Sequence, residues 1–100
     1  MRRYQCILLF DPMLDDESLT KEITSIEGFI TNNNGSIENK SIPKKIEMGY
    51  KIKKRKEGHY MVVDFRLEPT KIKELDGALK LNEAILRCTF VANHEKEIIL

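Results

Sequence analysis

The spacing of apolar residues changes its period along this chain, in an order that few folds accommodate. Residues 3–10 (Arg-Tyr-Gln-Cys-Ile-Leu-Leu-Phe) are strand-forming and end at Asp11-Pro12, where proline stops the strand. Acidic residues 15–17 then suit a helix N-terminus, and asparagines and a glycine at 32–35 suit its end. Between them apolar residues recur every three or four positions, at Leu19, Ile23, Ile26 and Ile30. The sequence predicts a strand followed by a helix.

The middle of the chain has a period of two. Apolar and charged residues alternate first at Ile46, Met48, Tyr50 and Ile52, and again at Met61, Val63, Phe65 and Leu67. Residues 54–58 separate the two runs and include a glycine. This pattern predicts a β-hairpin with its turn at 54–58.

The last third of the chain returns to a helical period and then to a strand. Glu68-Pro69-Thr70 predicts a helix start with Thr70 as its N-cap. The buried stripe of this helix is predicted at Ile72, Leu75 and Leu79, and Gly77 weakens the helix without abolishing it. Residues 84–92 alternate again and predict the final strand.

The element order β-α-β-β-α-β predicts an α+β, ferredoxin-like fold. Right-handed crossovers of its two βαβ halves give a four-stranded antiparallel sheet with both helices on one face. One hundred residues form one domain, 1–100, around one core. The other sheet face stays open, and its candidate residues are Gln5, Ile7, Leu9, Val62 and Ile85. Several of these are too apolar for permanent exposure, which predicts a contact site there.

Charge is strongly segregated although the net charge is only +1. Residues 40–56 contain eight Lys or Arg side chains and one Glu, a net charge of +7, so the rest of the chain carries −6. Such a concentration of positive charge is typical of a phosphate-binding surface. The alternative, a solvated lysine-rich hairpin with no ligand, remains open on charge alone.

Several functional classes are disfavoured by what the sequence lacks. No apolar run reaches the roughly 18 residues of a membrane span, and the apolar segment after Met1-Arg2-Arg3 is too short for a secretory signal, so we expect a cytoplasm-like compartment. Cys6 and Cys88 lie in apolar contexts that favour buried free thiols over a disulfide. Together with His59 and His94 they have no metal-site spacing, and no catalytic motif or glycine-rich phosphate loop is present. We therefore expect a protein that is not an enzyme and needs no cofactor or metal.

Other proteins with this topology can be tested by their motifs. The stretch 58–65, Gly-His-Tyr-Met-Val-Val-Asp-Phe, lacks the aromatic pattern of an RNA recognition motif. A copper-chaperone domain would need paired cysteines, and Cys6 stands alone. A stand-alone regulatory domain that binds a small ligand remains the alternative function.

Three segments resemble a known family. They are Met1-Arg2-Arg3-Tyr4 leading to Asp11-Pro12, then residues 49–54 (Gly-Tyr-Lys-Ile-Lys-Lys) with Gly58-His59-Tyr60, and then residues 79–87, which end in Ile-Leu-Arg. In this order they are similar to the bacterial small-subunit ribosomal protein six family across the whole chain. The resemblance implies a ferredoxin-like constituent of the small ribosomal subunit, in the cytoplasm or an organelle. It implies binding to the central domain of the small-subunit RNA as a heterodimer with small-subunit ribosomal protein eighteen.

By position, the resemblance also implies which residues carry these contacts. RNA contacts are expected from Arg2, Arg3, Tyr4, Lys44, Lys45, Lys53, Lys54 and Arg87. Partner contacts are expected from Ile7, Leu9, Tyr50, Val62 and Ile85. The sequence departs from the family at 43–51, which lacks the tryptophan and arginine pair common before the hairpin tyrosine. Many family members carry a charged extension after the last strand, whereas the sequence here ends at Glu97-Ile98-Ile99-Leu100, so we assume no contacts from a tail.

Overall fold

The protein forms an antiparallel sheet with two helices on one of its faces. A computed structural model describes residues 2–92. Its elements are β1 (Arg2–Phe10), α1 (Asp16–Asn32), β2 (Ser36–Lys40), β3 (Lys44–Ile52), β4 (Arg55–Leu67), α2 (Pro69–Leu81) and β5 (Ile85–Ala92). The predicted α+β, ferredoxin-like arrangement is confirmed, and His94 and the end of the chain lie outside the described residues.

Within residues 2–92 the sheet contains five strands where four were predicted, because one edge strand is divided. Strands β2 and β3 both pair with β4, at its residues 63–66 and 55–60 respectively, and the order continues from β4 to β1 to β5. Pro43 has no backbone N–H to donate to a ladder. Ser41 keeps the divided strand against β4, since its N–H donates to the Val62 carbonyl and its Oγ accepts from the Val62 N–H, both at 2.9 Å. The sequence predicted β3 but missed β2.

The core lies between the helices and one face of the sheet. Leu19, Ile26 and Ile30 of α1 and Leu75 and Leu79 of α2 are buried there, and Ile23 and Ile72 pack against them. The predicted alternation in β4 is also confirmed, since its residues Met61, Val63, Phe65 and Leu67 are all buried. Burial of these side chains is the main force that fixes both helices to the sheet.

Both ends of α1 agree with the sequence pattern. Asp15 is the N-cap, and its carboxylate accepts a 2.8 Å hydrogen bond from the Ser18 N–H. This bond lowers the pKa of Asp15. At the other end Asn34 has a φ of 66°, a left-handed conformation that asparagine tolerates well, and the Gly35 N–H donates to the Ile30 carbonyl at 2.8 Å.

Two local predictions were wrong. The N-cap of α2 is Glu68, not Thr70, and Pro69 is the first helical residue. Proline favours that position because its fixed φ is already helical and its missing N–H would have no helical partner. The β3–β4 turn is at Lys53-Lys54, because pairing continues to Ile52 and Arg55. Gly58 therefore lies inside β4, where a side chain would collide with Leu9.

Ile85 lies in the core, so its predicted place on the open face was also wrong. The register of β1 with β5 shifts between Leu9, which pairs with Arg87, and Phe10, which pairs with Ile85. This β-bulge leaves Leu86 without an opposite residue and turns Ile85 to the face that the helices cover. Ile85 is 2% exposed.

Both cysteines are free thiols on the helix-covered face, as predicted. Cys6 is buried, and burial, with smaller effects from Cys88 and Asp76, raises its pKa to about 12. Cys88 is partly buried, and burial with the nearby Asp76 carboxylate raises its pKa as well. Neither thiol is activated as a nucleophile, because both pKa shifts favour the protonated form.

Candidate nucleic-acid interface

The β3–β4 hairpin carries a dense group of positive side chains and bends over the open sheet face. Residues 48–51 bulge out of the β3–β4 ladder, because Glu47 pairs with Glu57 and the next pair is Ile52 with Arg55. The bulge brings Tyr50 towards β5, where the Arg87 Nη1 donates a 3.0 Å hydrogen bond to its hydroxyl. The hairpin is therefore held against the sheet.

The cations of residues 40–56 fall into two groups. Some are engaged within the protein: Lys40 pairs with Glu27 at 2.8 Å, Lys45 with Glu57 at 3.2 Å and Arg55 with Asp11 at 3.6 Å, while Lys53 Nζ donates to the Ile85 carbonyl at 3.1 Å. Within residues 2–92, the other four are exposed and form no side-chain hydrogen bond or ion pair: Lys44, Lys51, Lys54 and Lys56. These four, which we call the free hairpin lysines, can accept a polyanion without breaking an existing contact.

The RNA-contact residues predicted from the sequence are thus placed in different environments. Lys44 and Lys54 are exposed on the hairpin, whereas Lys45 and Lys53 already have partners. Lys51 and Lys56 were not singled out, although the charge of residues 40–56 was a signal that could have included them. Arg87 is exposed beside the hairpin and is bonded to Tyr50.

A second cationic cluster lies at the opposite end of β1. Arg3 and Arg66 are paired across β1 and β4, and Glu38 of β2 bridges them, with Nε–Oε distances of 3.2 Å and 2.8 Å. The hydrogen bond from Arg66, with help from Arg3, favours the ionised carboxylate and lowers the pKa of Glu38. Arg66 was missed by the sequence reasoning, although its alternation in β4 places it on the same face as Arg3.

The aromatic ring of Tyr4 is not on this surface. Tyr4 is 8% exposed and lies in the core, with its ring centroid 5.9 Å from that of Phe65. Its place in the strand explains this, because Tyr4 shares the helix-covered face with Cys6 and Leu8. The ring is therefore not available on the surface predicted to contact RNA, while the neighbours Arg2 and Arg3 are exposed.

An apolar groove of about 260 Å³ separates the hairpin from the open sheet face. Its lining includes two predicted partner-contact residues of β1, Ile7 and Leu9, and also Tyr50, which is 59% exposed. Leu9 is only 7% exposed because the hairpin already covers it, and Val62 is half-buried. The rest of the lining comes from β3, β4 and β5: Ile46, Met48, Ile52, Tyr60, Arg87 and Thr89.

Other kinds of site find little support in residues 2–92. That part of the chain has no group of three or more His, Cys, Asp or Glu side chains arranged to hold a metal ion. Neither α1 nor α2 is long and apolar enough to cross a membrane. Exposed lysines beside an apolar groove are suited to binding a polyanion and a protein surface together.

Fold and surface together define a small ferredoxin-like protein with a cationic hairpin beside an apolar groove. The family model for ribosomal protein S6 matches residues 3–92. The chain belongs to the ribosomal protein S6 family and is a small ribosomal subunit protein.

Relatives from several bacteria agree with this assignment. The small ribosomal subunit protein bS6 of Arthrobacter sp. (strain FB24) is 34% identical over 99 residues, which cover 99% of this chain and 98% of the relative. The bS6 of Clostridium kluyveri is 34% identical and covers 95% of this chain and 100% of the relative. A crystal structure of 30S ribosomal protein S6 from Thermotoga maritima has the same fold, with a TM-score of 0.89, 22% identity and coverage of 98% of this chain and 92% of that one.

Proposed function

We propose that this protein is a structural, non-catalytic constituent of the small ribosomal subunit that binds the central domain of the small-subunit RNA. It does so as a single domain, 1–100, together with small-subunit ribosomal protein eighteen, on a cytoplasmic or organellar ribosome. The observation that supports this best is the position of the free hairpin lysines, Lys44, Lys51, Lys54 and Lys56, beside an apolar groove.

RNA affinity in this proposal comes mainly from phosphate neutralisation. Each lysine that contacts a phosphate releases condensed counterions, so affinity falls steeply as salt rises. A phosphate contact carries no information about the base sequence, so the specificity must come from the shape of the folded RNA. Arg2 and Arg3 at the far end of β1 can add contacts, although the Arg3 guanidinium is already paired with the Glu38 carboxylate.

The partner protein in this proposal covers the apolar groove and the half-buried residues beside it. Ile7 and Val62 lie on the open sheet face, and Tyr50 forms the exposed rim. Removal of this apolar surface from water by a second protein contributes favourably to the free energy of binding. Ile85 and most of Leu9 take no part, because the protein's own chain already buries them.

The experiment measures binding to a central-domain fragment of small-subunit RNA, with and without ribosomal protein eighteen, at matched salt. We expect weak binding alone and tighter binding with the partner. A variant with Ile7→Asp and Val62→Asp should lose the gain from the partner but keep the weaker binding alone. Equal affinity with and without the partner would contradict the heterodimer, and no binding in either case would contradict RNA recognition.

A further inference from the structure

The turn that joins β3 to β4 has an unusual backbone for its sequence. Lys53 and Lys54 have φ values of 48° and 69°. Positive φ at both central residues is the pattern of a type I′ turn, which suits the twist of a hairpin but strongly favours asparagine, aspartate or glycine. Lysine has no intrinsic preference for this conformation. A contact outside the turn is therefore needed to explain why the turn sits where it does.

Lys53 provides such a contact. Its Nζ donates to the Ile85 carbonyl at 3.1 Å, at the β-bulge where Leu86 has no opposite residue in β1. The Lys53 side chain also lines two shallow hollows that share Leu86. Lys54, its neighbour in the same turn, is exposed, and its side chain forms no hydrogen bond or ion pair with any residue of the range 2–92.

Two further contacts fix the hairpin to the same end of the sheet. Arg87 donates to the Tyr50 hydroxyl at 3.0 Å, and Arg55 pairs with Asp11 at 3.6 Å. With the bond from Lys53 they attach β3, the turn and β4 to residues at the end of β1 and the start of β5. A hairpin attached at three points holds its unpaired lysines in one arrangement before a ligand arrives, which reduces the entropy lost on binding.

We propose that Lys53 is a positioning residue, which holds the hairpin turn on the Ile85 carbonyl so that Lys54 is presented to phosphate. The proposal rests on the RNA-binding function proposed above. It assigns different roles to two adjacent lysines of equal charge. Lys53 acts within the protein, and Lys54 acts on the ligand.

The first test needs no RNA. Hydrogen exchange of the amides of residues 50–56 is measured in the wild-type protein and in the variants Lys53→Met, Lys54→Met and Lys53→Arg. Met is unbranched like Lys, so both Met variants leave the backbone preference of the turn nearly unchanged. We expect Lys53→Met to accelerate exchange by about threefold to tenfold, the effect of one lost hydrogen bond. Lys54→Met should have no effect, and Lys53→Arg, which keeps a donor, should restore protection.

The second test is the salt dependence of RNA binding. The slope of log K against log salt is negative, and one lost phosphate contact lowers its magnitude by about 0.7 to 0.9. We expect this decrease for Lys54→Met. For Lys53→Met we expect weaker binding with an unchanged slope, because the same phosphates are contacted by a less ordered hairpin.

Several results would overturn the proposal. Unchanged hydrogen exchange in Lys53→Met would show that Lys53 does not hold the hairpin. A decrease in salt slope equal to that of Lys54→Met would make Lys53 a phosphate ligand. If the wild-type protein bound no RNA, the proposed function would fail, and the hydrogen-exchange result would still decide whether Lys53 positions the turn.

Discussion

Arg87 and Tyr50 are joined by a 3.0 Å hydrogen bond although they belong to strands that are not neighbours. Arg87 is in β5 and Tyr50 is in β3, and both β1 and β4 lie between these strands in the sheet. The contact is possible because the bulge at residues 48–51 carries Tyr50 over the open face. The bond thereby closes one side of the apolar groove, so the open sheet face is concave at this point and not flat.

Removing the Tyr50 hydroxyl tests this relationship. We expect Tyr50→Phe to lower the free energy of unfolding by about 0.5–1 kcal/mol, the low end for a hydrogen bond because Tyr50 is exposed. Chemical denaturation measures the change. Tyr60→Phe is the matched control, because Tyr60 lines the same groove and its hydroxyl has no described hydrogen-bond partner. An equal loss in both variants would contradict a specific role for the Arg87 bond.

Ile85 and Ile7 should respond differently to truncation. Ile85→Ala creates a cavity in the core and should lower the free energy of unfolding by about 2–5 kcal/mol. Ile7→Ala removes a half-buried side chain from the open face and should have a smaller effect. Thermal or urea denaturation of both variants gives the comparison. A larger loss for Ile7 would mean that the β-bulge does not turn Ile85 to the core.

Substitution of Gly58 and of Gly77 by alanine should change the stability of the protein in opposite directions. A Cβ at Gly58 would lie 2.7 Å from Leu9 Cδ1 and 3.0 Å from the Phe10 carbonyl oxygen, whereas a Cβ at Gly77 meets nothing within 4 Å. We expect Gly77→Ala to stabilise the protein by about 0.5–1 kcal/mol, because glycine is a poor residue inside a helix. Gly58→Ala should destabilise it by about 1–3 kcal/mol through overpacking. Thermal melting distinguishes them, and stabilisation by Gly58→Ala would show that Leu9 can move aside freely.

The pKa of Cys6 predicts a loss of stability at high pH. In the unfolded chain the thiol ionises near its ordinary pKa of 9.0, whereas burial in the folded protein raises the pKa to about 12. The folded state therefore holds its proton more tightly, and this contribution to stability is complete below pH 9 and lost as pH rises towards 12.

Between pH 8 and pH 10 we expect the wild-type protein to lose about 1 kcal/mol more stability than Cys6→Ala, a variant with no thiol at this position. Urea denaturation at both pH values measures this. Equal losses would show that the Cys6 thiol ionises in the folded protein as readily as in the unfolded chain.

Much of the fold could be predicted from the sequence, because the apolar period in α1, α2 and β4 directly reflects the face that each element buries. Three features could not be predicted in this way: the start of α2, the hairpin turn and the place of Ile85. Each depends on a local event that periodicity does not record: proline at the first helical position, lysine in a left-handed turn, and a β-bulge that shifts the register by one residue.

The candidate interface was predicted less completely than the fold. Charge segregation located it on residues 40–56, but only side-chain contacts separate the free hairpin lysines from the engaged ones. Arg3, Arg66 and Glu38 come from three different strands, so no sequence window brings them together. Tyr4 was included by its position in the family resemblance, which does not record that strand alternation turns its ring into the core.

The most direct test of the account is charge reversal of the free hairpin lysines. The variant with Lys44, Lys51, Lys54 and Lys56 changed to Glu is compared with one in which four helix lysines, Lys21, Lys71, Lys73 and Lys80, are changed to Glu. Both variants change the net charge equally. Binding to the central-domain RNA fragment, with ribosomal protein eighteen present, is measured across a salt series. We predict that hairpin reversal lowers the RNA affinity by at least about 100-fold and reduces the magnitude of the slope of log K against log salt by about three or more. Helix reversal should have a much smaller effect on both quantities. Equal losses in both variants would contradict a phosphate-binding hairpin.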